Sequence, residues 1–317
     1  MLTVASATSR ASQTAQAGVE QDARYYEYSK AANPIGARLI TRVPYRSFLP
    51  DLYASGPTRV VTLDLSHALA TDWPATGPGL CAHFLRILPG ESLSLDPNAT
   101  SMVLYVIKGA GQVLQGAARF NFSAGGFITM PGGSAVELSA SAETAIYCVD
   151  DEPLLRYLGA TVAAARFRPT YYPPEAAQAE LSRAAADPNA GKRSRISVLL
   201  GNKHFPQTRT ATQTLWAMYG LLPGHSVQKP HRHQSIALDF IVKAAAGCYT
   251  LVGPELDADG NIASPQRVDW VSGMAFVTPP GYWHAHYNDT DELALLIPVQ
   301  DAGLQTYLRA LDIRFQY

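Results

Sequence analysis

Four of the eight histidines in this 317-residue chain fall into two tight pairs. His231 and His233 lie in Pro230-His-Arg-His-Gln234, and His284 and His286 lie in Trp283-His-Ala-His-Tyr287. In an extended strand, residues i and i+2 project from the same face. Each pair can therefore send both imidazoles into one interior, and two such strands side by side would gather them around a divalent transition metal. A lone His-x-His is more often a surface or core feature than a ligand. Two pairs, one led by Gly224 and the other by Gly273, Pro279 and Gly281, carry more weight.

The elements that must position these residues read as short strands. Strand-like runs arrive at 59–65, 81–88, 101–107, 111–114, 126–129, 136–138 and 144–149, and again at 213–222, 239–242, 248–252, 275–278 and 293–299. Gly, Pro and Asn turns punctuate them, the pattern of a sandwich or barrel. Between the two sets, 175–186 is rich in Ala, Leu and Glu and predicts a helix; 302–313 predicts a closing helix. The framework repeats: Pro89-Gly90 answers Pro223-Gly224, and Gly125, Pro131 and Gly133 keep the spacing of Gly273, Pro279 and Gly281. The expectation is an all-β chain of two jelly-roll barrels. Its parts are an N-terminal arm (1–24), a first barrel (25–150), a connector with a helix (151–205) and a second barrel (206–317).

Composition narrows the function. Twenty-five basic and 26 acidic residues give a net charge of −1 without blocks of like charge, so a phosphate-tracking surface for nucleic acid is not expected. Three scattered cysteines (Cys81, Cys148, Cys248) make neither a disulfide scaffold nor a Cys-x-x-Cys site. No apolar run approaches the roughly 18 residues of a membrane span, and residues 1–17 lack the apolar stretch of a signal peptide. A reducing cytoplasm is the expected compartment.

The framing of the histidines resembles the cupin superfamily. Its second motif is matched at every fixed position by Gly273, Pro279, Gly281, His284 and Asn288. Its first motif is matched by Gly224, His231 and His233 with one extra residue after the glycine. The usual glutamate ligand falls on Ala237 or Leu238, and the turn glycine on Ala244. The first repeat keeps the frame without the ligands: Asp96 and Asn98 replace the His pair, Met102 the Glu and Val136 the second-motif His. The resemblance thus implies a bicupin whose first barrel is structural and whose second holds one metal.

The stretches 231–241 and 276–288 look like the gentisate/salicylate 1,2-dioxygenase group of bicupins, which uses three His ligands without a Glu. That resemblance implies His231, His233 and His284 as ligands of Fe(II), and ring cleavage next to a carboxylate with O2. His286 would stand beside bound oxygen or substrate as the catalytic residue that handles a proton. Trp283 would pack against the ligand strand, and Tyr282 would line the pocket mouth. Two positions depart from the group. Asp239 stands where its carboxylate-holding Arg would be, and Gly220 where it has Gln, so cleavage of a diketone-like chelator fits as well as that of a phenolic acid. Zn, Mn or Ni at the same site would instead support an isomerase or hydrolase, or a binding barrel. The expected partners are a small substrate, O2, and further copies of the chain in a homodimer or homotetramer. Lys192, Arg193 and Arg195 read as solvated connector surface, and His83 lies outside the motifs.

Overall fold

The computed structural model describes residues 21–193 and 195–316, so most of the N-terminal arm lies outside the described residues. The chain divides into two units, Met1–Arg42 and Val43–Tyr317. The described part of the first carries a short helix, Tyr28–Ala31, whose N-terminus is capped by the Glu27 carboxylate accepting the Ser29 and Lys30 N–H groups.

The second unit holds both barrels. Its strands are β1 (Ser47–Phe48), β2 (Arg59–Thr62), β3 (Cys81–Ile87), β4 (Ser92–Leu95), β5 (Ser101–Lys108), β6 (Ala110–Gln115) and β7 (Ala118–Ser123). Next come β8 (Phe127–Pro131), β9 (Val136–Ala140), β10 (Thr144–Asp150), β11 (Thr170–Tyr172), β12 (Ile196–Leu199), β13 (Trp216–Leu222) and β14 (Ser226–Arg232). The last are β15 (Ala237–Lys243), β16 (Cys248–Gly253), β17 (Gln266–Asp269), β18 (Ala275–Thr278), β19 (Trp283–Asn288), β20 (Ala294–Gln300) and β21 (Arg314–Phe315).

The first barrel packs a sheet of order β11-β8-β5-β10-β3-β2 on one of order β4-β9-β6-β7. The second packs β1-β18-β15-β20-β13-β12 on β17-β16-β19-β14-β21. In each large sheet, period-2 alternation sorts residues between two apolar cores. On β3, Leu85 and Ile87 face the first barrel's interior, whereas Ala82 and Phe84 join the core shared by the two barrels. On β15, Leu238 and Phe240 join that shared core and Ile241 turns into the second barrel. The shared core is aromatic. The Phe240 ring lies 5.0 Å from Tyr147, 5.6 Å from Tyr105 and 6.4 Å from Phe84.

Strand exchange ties the halves together. β1 precedes the first barrel in the chain yet pairs with β18 of the second. β12, in the stretch expected to be connector, pairs along its whole length with β13. The connecting helix runs Pro174–Ala185, starts with Pro at its first turn, and buries Ala177 and Leu181 in the shared core. The expected closing helix is shorter, Ala302–Tyr307. It stops before Arg309, which adopts a left-handed φ of 58°, and the chain then forms β21, which pairs with β14 opposite His231.

Because Phe240 is 1% exposed and ringed by three aromatic side chains, Phe240→Ala should cost ~3–5 kcal/mol, the usual cost of an aromatic cavity. Urea unfolding should show that loss in the midpoint. A shift within experimental error would mean that the barrels do not depend on this core.

Candidate metal centre

Two strands bring the histidines together. His231 on β14 pairs directly with His284 on β19. Further along, Gln228 pairs with His286, so three steps on β14 match two on β19. That irregularity contains Pro230, which has no N–H to give the ladder and is at home in a bulge. The extra residue restores the inward face, so Gln228, three positions from His231, stays buried with its Nε2 3.4 Å from the His231 Nε2.

The ligand atoms of His231, His233 and His284 all lie within 4.8 Å of one another, and all three residues are buried. Each ring is held through Nδ1. His231 meets the Lys229 carbonyl at 3.1 Å, His233 the Ser235 carbonyl at 2.8 Å, and His284 the Tyr282 carbonyl at 3.1 Å. A carbonyl only accepts, so Nδ1 carries the proton and Nε2 presents its lone pair to the cluster. Burial is the main force holding the imidazoles neutral: His233 falls to about 4 and the other two well below their ordinary value. Three neutral imidazoles that turn their Nε2 lone pairs toward one another, with no bond among them, suit a divalent transition metal.

His286 faces the same interior. Its Nδ1 is 2.8 Å from the Thr250 hydroxyl, which also accepts the Trp270 Nε1–H at 2.8 Å. The Arg195 guanidinium stands 3.4 Å from the Nε2 of both His286 and His231. A guanidinium only donates, which makes His286 Nε2 an acceptor and assigns the proton to Nδ1. A cavity of about 110 Å³ adjoins, lined by Arg195, Gln228, His286, Leu222 and Leu296 among others.

Arg195 corrects the expectation of a solvated basic patch. It immediately precedes β12, and pairing of β12 with β13 turns its head inward. Burial lowers its pKa while the Asp239 charge opposes that shift. The apolar run 196–200 was the available sign of a strand here; the surrounding basic residues disguised it. Thr250 and Trp270 had no sequence signal, since their value lies in a contact across strands.

Asp239 is 2% exposed, accepts the Thr278 hydroxyl at 2.8 Å, and is raised by burial to about 6, with Arg195 acting in the opposite sense. Gly220 pairs with Ser197, and a Cβ there would stand 2.6 Å from the Ser197 Oγ. The connector strand thus fills the space a longer side chain would need. Trp283 lies on the face opposite His284, its ring 5.1 Å from the Arg232 guanidinium, and does not line the cavity. Tyr282 contributes its carbonyl and packs its ring on the barrel's apolar core.

Comparison with known proteins agrees with this architecture. No family model matches the chain. Over 103 residues it is 30% identical to gentisate 1,2-dioxygenase 1 of Aquipseudomonas alcaligenes, and over 98 residues 34% identical to a gentisate 1,2-dioxygenase of a Streptomyces species. These matches span 32% and 31% of this chain and 26% and 24% of the relatives, so only about a quarter of each relative is covered. The salicylate 1,2-dioxygenase of Pseudoaminobacter salicylatoxidans superposes with a TM-score of 0.71 at 10% identity, covering 98% of this chain and 99% of that one. A variant of the same enzyme in complex with gentisate gives 0.71 at 11% identity over 99% and 98%. The chain therefore has the double-barrel fold of that enzyme.

Two outcomes follow from the geometry. His284→Ala should remove the bound metal, read as metal per chain by elemental analysis, with folding retained by circular dichroism; full occupancy would exclude His284 as a ligand. The raised Asp239 carboxyl binds its proton more tightly folded than unfolded. It therefore adds stability below about pH 4 that is lost as pH rises through about 6. In chelator-treated protein, Asp239→Asn should flatten that part of the melting-temperature profile, by at most ~3 kcal/mol for a shift of about two units. An unchanged profile would place Asp239 in solvent.

Proposed function

We propose that the chain is an Fe(II)- and O2-dependent dioxygenase that opens the ring of a small hydroxylated aromatic carboxylate of the gentisate and salicylate type. The observation that carries the proposal is the Arg195 guanidinium beside the metal triad, 3.4 Å from His231 and His286. It offers a fixed cationic fork for a carboxylate, although the position equivalent to the group's arginine is Asp239. A diketone lacks the carboxylate that such a fork engages bidentately.

Held by His231, His233 and His284, Fe(II) would supply open positions for substrate oxygens and dioxygen, and the electrons that dioxygen activation needs. The residues of the chain do the rest. Three neutral imidazoles leave the ion's full charge in place, while Arg195 and Asp239 offset each other beside it, so the ion's own charge favours an anionic chelator. The cavity of about 110 Å³ beside Arg195 and His286 is smaller than the ~150 Å³ that holds benzene, so a carboxylated ring would also have to occupy space at the triad. His286, kept neutral by burial and the Arg195 charge and fixed by Thr250, presents Nε2 as an acceptor that orients the phenolic hydroxyl. Leu222 and Leu296 keep water off the ring.

Among the described residues no helix is long and apolar enough to cross a membrane, and the three cysteines are free; a cytoplasmic location is part of the proposal. So is a homodimer or homotetramer, supported by the exposed Tyr25, Tyr26 and Tyr28 of the first unit.

Oxygen uptake by anaerobically iron-loaded protein with a panel of phenolic acids tests the reading. Arg195→Gln should raise KM for a carboxylated phenol roughly 10- to 100-fold, the equivalent of the ~1.5–3 kcal/mol of a hydrogen bond to a charged group. His286→Ala should lower kcat with iron still bound. No uptake with any phenolic acid, or an unchanged KM in Arg195→Gln, would contradict the proposal.

A further inference from the structure

The first barrel has a polar cluster that the proposed reaction does not use. On β3, Cys81 and His83 are i and i+2 on the face that continues as Leu85 and Ile87 into the barrel core. On β10, Cys148 and Asp150 are again i and i+2 on the inner face. The two strands pair antiparallel with Cys148 opposite His83 and Asp150 opposite Cys81. Four side chains able to ligate metal therefore form one two-by-two block inside the barrel. Cys81, Cys148 and Asp150 are 3%, 1% and 2% exposed.

The block is already partly assembled. His83 Nε2 lies 3.0 Å from Asp150 Oδ2, a separation that suits two ligands of one ion as well as a hydrogen bond. The Cys81 thiol also interacts with the His83 ring. On its other side, His83 Nδ1 meets the Thr62 hydroxyl at 3.1 Å, the outer hydrogen bond that typically orients a metal-binding imidazole. A cavity of about 250 Å³, lined by His83, Cys148, Asp150, Met102 and Asp96 among others, opens onto the cluster and gives an ion access.

We propose that Cys81, His83, Cys148 and Asp150 form a second metal site, selective for a thiolate-preferring tetrahedral ion such as Zn²⁺ and distinct from the imidazole triad of the second barrel. Two thiolates, one imidazole and one carboxylate are a donor set for zinc. In the triad the donor atoms already stand within 4.8 Å of one another; here His83 and Asp150 are together, and the two cysteine side chains would have to turn toward them to complete the site. The ion would brace β3 against β10, both of which supply the aromatic core shared with the catalytic barrel.

Cobalt(II) titration of the reduced, metal-stripped full-length chain tests the site, because thiolate ligands give cobalt a near-ultraviolet charge-transfer band that imidazoles cannot. The expected result is two equivalents bound, with that band filling for one of them. His284→Ala should keep the band and lose the other equivalent, whereas Cys81→Ser with Cys148→Ser should lose the band and keep visible cobalt absorption from the triad. The remaining thiol, Cys248, lies in the second barrel 3.2 Å from the Asn288 Oδ1 and is intact in both variants. Should the double variant not fold, the wild-type spectrum decides alone. A wild-type chain that binds one equivalent without the thiolate band would overturn the proposal and leave a buried ion pair.

Discussion

The site depends on a single constraint: imidazoles can be buried together only if they are neutral and each Nδ1–H has an acceptor. Backbone carbonyls from positions two residues away meet this need at His231, His233 and His284. Local backbone thus fixes the tautomer, the ring plane and the direction of each Nε2 before any metal arrives. The Lys229–Pro230 irregularity follows from the same requirement, because without it Gln228 and His231 would face opposite sides of β14. Preorganisation of this kind lowers the cost of collecting three ligands around an ion.

The barrel cannot supply everything from its own strands. β12 brings Arg195 to the triad from the stretch between the barrels, and that stretch is held by a helix whose Ala177 and Leu181 sit in the shared aromatic core. The first barrel, through Phe84, Tyr105 and Tyr147, forms the other side of that core. The first barrel thus packs against the seat of the connector.

Much of this was legible in the sequence. The repeated Gly/Pro frame carried the two barrels, and the His-x-His pairs carried the triad, because strand periodicity links spacing directly to facing. What could not be read was whatever depends on contact across the fold. Arg195 sits amid basic residues that look like surface until β12 is paired. Trp283 alternates with His284 and so turns outward, which spacing alone could have indicated. The closing helix ran short because helical propensity could not anticipate the pairing of β21 with β14. His83, outside either motif, gains meaning only from its register with Cys148 and its contact with Asp150.

The central claim is that three Nε2 atoms hold iron beside Arg195. It is tested most directly by anomalous diffraction at the iron edge from crystals grown anaerobically with Fe(II). The account predicts a single strong peak in contact with Nε2 of His231, His233 and His284, next to the Arg195 guanidinium. A peak elsewhere in the chain, or none at the triad in protein that retains its fold, would contradict it.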